Sequence, residues 1–198
     1  PALPAAAVLG LIALSVFWPI LALALPQPYE NLPLRLAAGI LLLPLLWPQR
    51  GSGASSTWRP LYGYAALTFA YPFFFTYMLL QNGASPVWML LHLSSVFLMS
   101  ILLERMDFVV TGLVGTLTAA GAYALDPVRP LPAAALLGYL PAGLFAIVCG
   151  EVFRLSRRHA ERTRLGSMLA ALGNTASELR TPLASIRVAA QAVERYLP

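Results

Sequence analysis

Residues 3–25 read LPAAAVLGLIALSVFWPILALAL, from Leu3 to Leu25, without one charged side chain. A helix needs about 20 such residues to cross the hydrocarbon of a bilayer. The stretch is too long for the apolar part of a signal peptide and lacks a charged start. It predicts a membrane-spanning helix. Five more apolar segments follow, bounded by Pro, Gly or charge: Leu34–Trp47, Leu61–Leu80, Val87–Leu103, Phe108–Leu125 and Ala133–Phe153. The second is short for a span and the fourth is near the lower limit. None shows the ten-residue alternation of an outer-membrane strand. Composition agrees, because only 11% of the 198 residues are charged and 59% are hydrophobic. Soluble domains carry about 25% charged residues. A disulfide scaffold is excluded by the single cysteine, Cys149.

All thirteen basic residues are arginine. Five arginines balance five acids up to Phe153, and eight face three from Arg154 onward, so the net charge of +5 sits in the tail. An even number of spans with a basic C-terminal tail predicts both termini in the cytoplasm. Arg50, Arg59 and Arg105 then face inward. The turns Gln27–Asn31, Gln81–Pro86 and Asp126–Pro132 face outward, with Arg35 and Arg129 against the bias. The basic tail is weak evidence for nucleic acid, and no such partner is expected. The chain begins without Met, so its true N-terminus is expected upstream.

Prolines 19, 44, 72 and 141 fall inside apolar segments and should bend their helices. Ala134, Gly138, Ala142, Ala146 and Gly150 recur every four residues, as do Gly112, Thr116 and Ala120; such small residues predict close helix packing. Beyond Phe153 a polar helix, Arg154–Leu165, is expected to leave the membrane. A second, Met168 to Tyr196, carries a stripe from Leu169 to Val193 suited to a partner helix, with Pro182 kinking it.

The tail contains Ser177-Glu178-Leu179-Arg180-Thr181-Pro182-Leu183. It resembles the dimerisation and phosphoacceptor motif of sensor histidine kinases, His-Glu-Leu-Arg-Thr-Pro-Leu. There an exposed imidazole attacks the γ-phosphate of ATP and a neighbouring carboxylate, here Glu178, accepts its proton. Ser177 stands at the phosphoacceptor position, so the imidazole is absent. His159 lies in a superficially similar string without a proline and reads as a solvated linker residue.

A second resemblance covers the membrane part. Pro26-Gln27-Pro28-Tyr29-Glu30-Asn31-Leu32 with Leu34-Arg35-Leu36, and Pro72-Phe73-Phe74-Phe75-Thr76-Tyr77-Met78-Leu79-Leu80, are similar to stretches of six-span quorum-sensing sensor kinases that detect α-hydroxyketones. The resemblance implies a hydrophobic autoinducer held by an apolar slot and a few polar atoms. Trp88 matches a tryptophan that family places at its pocket. One turn on, this chain has Leu91, which moves attention for the head group to His92 or Ser95. Trp88, His92, Ser95 and Met99 share one helical face. His92, the one imidazole within the spans, reads equally as a pocket residue and as an interhelical strut. Phe73 and Tyr77, from the aromatic string, are further candidates to bind the ligand. Phe145 and Phe153 are candidates to line the slot and limit tail length, with Cys149 between them as a lining or packing residue. Tyr29, Glu30 and Asn31 serve either helix capping or signal entry.

The expected architecture is all-α: a six-helix transmembrane sensor (1–153), a cytoplasmic linker helix (154–167) and a partial dimerisation helix (168–198). It is a multi-pass protein of a bacterial inner membrane, in contact with lipid. The resemblance implies a homodimer, a response regulator or receiver domain as downstream partner, and ATP with magnesium for the parent kinase. The chain stops before an ATP-binding domain, so no cofactor or metal is expected in it and it phosphorylates nothing alone. Two other readings stay open: a sensor kinase for another lipid signal, such as a hydroxy fatty-acid methyl ester, and a small transporter.

A motif decaying naturally would drift at several positions, whereas Glu178, Arg180, Thr181 and Pro182 are in place. The isolated loss points either to a substitution that locks one state or to a receptor that signals through conformation or a partner. In the full-length parent, Ser177→His should give acid-labile, alkali-stable phosphorylation from ATP that responds to ligand. Failure to label beside a functional ATP-binding domain would mean this is not a phosphoacceptor helix.

Overall fold

The computed structural model describes residues 2–47, 58–130 and 133–196, and among them there is no strand. Arg50, expected to face inward, lies outside the described residues. The chain divides into two compact units, Pro1–Phe153 and Arg154–Pro198.

In the first unit, α1 (Ala2–Pro19) passes into a π-helical turn, Ile20–Ala24. The second helix, α2 (Leu32–Leu42), tightens into a 3₁₀ turn, Leu43–Leu46. The next three pieces run on from one another: α3 (Trp58–Thr68), a π turn (Phe69–Phe73) and α4 (Phe74–Gln81). Then come α5 (Pro86–Leu102), α6 (Arg105–Leu125) and the long α7 (Ala133–Tyr196). Four stretches are long and apolar enough to cross a membrane: Leu3–Ala24, Pro60–Gln81, Arg105–Leu125 and Leu137–Leu169. Two apolar helices, Leu32–Leu46 and Pro86–Leu102, are shorter, matching the two segments whose sequence is short of a full span.

Three of the prolines expected to bend spans mark departures from α geometry. Pro19 immediately precedes the first π turn, Pro44 lies in the 3₁₀ turn and Pro72 in the second π turn. Proline has no N–H and its ring crowds the carbonyl four residues back, so the turn must widen or tighten there. At Pro141 and Pro182 the backbone stays helical.

The core gathers residues of α1 to α5, including Leu14, Leu42, Leu67, Phe74, Met78 and Trp88. A Cβ on Gly10 would stand 2.6 Å from Leu42 Cδ1 and 2.8 Å from the Tyr71 hydroxyl, so only glycine lets α1 approach this closely. Tyr71 donates across to the Ala6 carbonyl, and Tyr62 to that of Leu41 at 2.7 Å. Such side-chain bonds carry weight in lipid, where apolar contact between helices has no hydrophobic drive.

The buried stripe of α6 is Thr111, Gly115 and Ala119, one residue before the Gly112, Thr116, Ala120 stripe read from sequence. A Cβ on Gly115 would sit 2.6 Å from Pro72 Cγ, whereas one on Gly112 meets nothing within 4 Å. On α7 the small-residue stripe packs tightly at Gly150, where a Cβ would overlap Ser100, while Gly138 faces open space.

Polar groups tie three turns together at one end of this unit. The Tyr29 N–H donates to Asn82 Oδ1 at 3.0 Å, and Asn82 Nδ2 returns a bond to the Tyr29 carbonyl. Gln81 Nε2 donates to the Asp126 carbonyl at 2.7 Å, and its Oε1 accepts from the Val128 N–H at 2.8 Å. Gln81 and Asn82 are therefore buried, although sequence places them in a turn. Positive φ at Gly83 and Ala84 brings the chain back to α5. At the other end Tyr64 donates to Asp107 at 2.7 Å, and Arg105 pairs with Glu151 at 2.9 Å.

In the second unit α7 is helical through Gly166, where sequence suggests two helices. A mid-helix glycine costs about 1 kcal/mol relative to alanine without ending a helix. Leu155, Leu165, Leu169 and Ile186 are exposed. Ser177 and Glu178 lie on this helix, and their side chains are outside the described ones.

The topology is open to labelling. In a Cys149→Ser background, Val128→Cys, 49% exposed at the Gln81 end, should react with an impermeant thiol reagent on intact cells. His159→Cys should react only after permeabilisation. The reverse pattern would refute the inward-facing termini.

Candidate functional site

Helix α5 starts at Pro86, where the missing N–H costs nothing. Its Trp88, Ser95 and Met99 are buried on the face that the sequence singles out. Trp88 is fully enclosed, edge-on to Phe74 at 6.2 Å and tilted against Phe75 at 6.5 Å. The Arg35 guanidinium lies 5.3 Å from the Phe74 ring centre and 5.9 Å from that of Trp88, within cation–π range.

One turn along, His92 Nε2 meets Thr76 Oγ1 of α4 at 2.9 Å, and its Nδ1 meets the Tyr139 hydroxyl of α7. Each hydroxyl can donate or accept, so a neutral ring satisfies both contacts in either tautomer. His92 is thus an interhelical strut, and it also borders a cavity.

That cavity, of about 320 Å³, lies among α5, α6 and α7. His92, Ser95, Val96 and Met99 line it from α5, Phe108, Val109, Gly112, Leu113 and Thr116 from α6, Ile147 from α7, and Pro72 from the π turn. Its origin is local. Gly115 lets the Pro72 turn press onto α6, while Gly112, three residues earlier, supplies no side chain to fill the space beside it. The volume is at the lower end of small-molecule pockets, and the walls are mostly apolar with few polar groups, as such pockets are.

The other sequence candidates stand elsewhere. Phe73 stacks between Phe69 at 4.9 Å and Tyr77 at 5.9 Å, forming an aromatic column outside the lining. The Tyr77 hydroxyl accepts from Gln81 at 3.0 Å and meets the Tyr29 hydroxyl at 3.3 Å. Phe145 and Phe153 are exposed, Cys149 is half-buried, and none of the three borders the cavity. The reason is helical phase: Ile147 faces the cavity, and a residue two positions away lies about 200° round the helix. Phe153 packs edge-on against Phe97 instead. Asn31 caps α2 by accepting from the Leu34 N–H at 2.9 Å, supporting the structural role among the two considered for the 29–31 stretch.

Sequence reading missed one cluster. Arg35, 4% exposed, donates through Nε to Glu30 Oε1 at 2.8 Å and through Nη1 to the Leu14 carbonyl at 3.3 Å. Sequence read Arg35 as an outer-side charge and Glu30 as a capping or signal-entry residue. The available signal was their spacing across a helix start in a chain so poor in charge.

No family model and no solved structure matches this chain. It is 29% identical over 177 residues to the CAI-1 autoinducer sensor kinase/phosphatase CqsS of Vibrio cholerae serotype O1. The chain is similar to CqsS. The match covers 87% of this chain but 25% of CqsS, so the chain spans about a quarter of that relative's length. The similarity to CqsS supports reading the chain as the membrane domain of a sensor kinase.

Proposed function

We propose that this chain is the receptor part of a two-component quorum-sensing histidine kinase, and that a neutral hydrophobic autoinducer of the α-hydroxyketone class enters the α5–α6–α7 cavity. The cavity itself carries the reading: an apolar chamber of about 320 Å³ on the helix bearing Trp88, bordered by the one imidazole of the spans. In this reading six helices cross the bacterial inner membrane with both termini inside. The parent works as a homodimer with ATP and magnesium and with a response regulator downstream, and phosphate transfer in it requires the histidine that Ser177 replaces.

The chamber suits signalling because α7 forms one of its walls. Ile147 faces the space, Tyr139 is held by His92, and Gly150 rests on Ser100. A tail that fills the chamber changes how α7 seats against α5, and α7 continues in sequence to Ser177 and Glu178. The apolar tail gives little selectivity, since a signal dissolved in lipid gains nothing by exchanging one hydrocarbon surrounding for another. Selectivity rests on shape and on the polar head.

Gly112 provides the test, because a side chain there enters the chamber without displacing protein atoms. Gly112→Leu should weaken a long-chain alkyl α-hydroxyketone at least tenfold in nanodiscs. Gly121→Leu, also in open space but outside the lining, should leave binding unchanged. Tighter binding of a hydroxy fatty-acid methyl ester of equal length would favour the other lipid-signal class. Equal binding by both variants would place the ligand outside this cavity.

A further inference from the structure

Three polar atoms within the bundle are buried without a hydrogen-bond partner among the described residues: Glu30 Oε2, Arg35 Nη2 and Trp88 Nε1. Arg35 Nη2 is ion-paired with Glu30 Oε1 at 2.7 Å, which leaves Glu30 Oε2 and Trp88 Nε1 as the two atoms with no polar contact. Buried polar groups are nearly always paired, and an unmet charged atom is the most costly exception. The three form a chemical set. One carboxylate oxygen can only accept, and a guanidinium nitrogen and an indole nitrogen can only donate. The carboxylate and guanidinium cancel in charge, so the set fits a neutral ligand that offers one donor beside an acceptor.

We propose that Glu30 and Arg35, with the Trp88 indole, form a polar subsite that reads a hydroxyl next to a carbonyl. The hydroxyl donates to Glu30 Oε2, and the carbonyl oxygen accepts from Arg35 Nη2 and Trp88 Nε1. Placement along α5 agrees. Trp88 lies one turn, about 6 Å, before His92, where the cavity begins, and the lining then follows α5 to Met99. A head at Trp88 therefore sends its tail along this face into the chamber. Phe74 and Trp88, flanking the guanidinium, exclude bulk water and keep the pair in a medium where hydrogen bonds discriminate strongly.

The assignment rests on the cavity reading and deepens it. Three probes of equal chain length separate the two: an alkyl α-hydroxyketone, its O-methyl ether and the plain ketone, each titrated into the whole chain in nanodiscs. The unsubstituted protein should bind the hydroxyketone at least tenfold more tightly than either analogue. Glu30→Gln should lose most of that preference while still binding all three. Removing one member of a buried pair can unfold a protein, so Glu30→Gln/Arg35→Met, which removes both charges together, should show the same loss with its fold intact. Retained preference in either folded variant overturns the subsite. Equal binding of the three probes by the unsubstituted protein, still blocked by Gly112→Leu, overturns the subsite and leaves the cavity reading standing. No binding of any probe overturns both.

Discussion

Gln81 is the point on which the described bundle turns. Its side chain is wholly buried, and its nitrogen serves both the Tyr77 hydroxyl and the Asp126 carbonyl while its oxygen takes the Val128 N–H. With no water to turn to, a buried amide must find protein partners or cost several kcal/mol. Satisfying Gln81 fixes the end of α4 against the turn that follows α6. Asn82 then fixes the same point to Tyr29 before α2. One dipeptide thereby locates three helices.

Once α4 is anchored there, the π turn below it has a fixed height, and its Pro72 meets α6 at Gly115. The chamber beside Gly112 is a consequence of that contact. The arrangement separates two tasks within one bundle: α1 to α4 supply a closely packed frame, while α5, α6 and α7 enclose space. His92 joins the two parts by holding Thr76 of the frame and Tyr139 of α7 at once.

The helices were legible in the sequence because apolar run length is a direct measure of spanning capacity. Even the weak second and fourth segments reappear as the two shorter helices. Helix phase was not legible in the same way. Gly112 and Gly115 both offer a smooth surface, and only the position of Pro72 decides which one is covered. Phe145, Cys149 and Phe153 were attractive by residue type, yet the register of α7 turns Ile147 to the chamber. Trp88 was singled out by resemblance, and His92 and Ser95 by sharing its helical face; His92 and Ser95 border the chamber, and Trp88 does not. Arg35 was misread because charge counting treats an arginine near a helix start as an orientation signal. Nothing in the pattern reports that the guanidinium folds back between Phe74 and Trp88.

Photo-crosslinking tests the central claim most directly, with an α-hydroxyketone carrying a diazirine midway along its tail, used in native membranes and mapped by mass spectrometry. The account expects adducts on Val96, Met99, Leu113 and Ile147 that unlabelled ligand competes away. Competable adducts confined to the outward face of Phe145 and Phe153, or to Leu23 and Leu61, would contradict it.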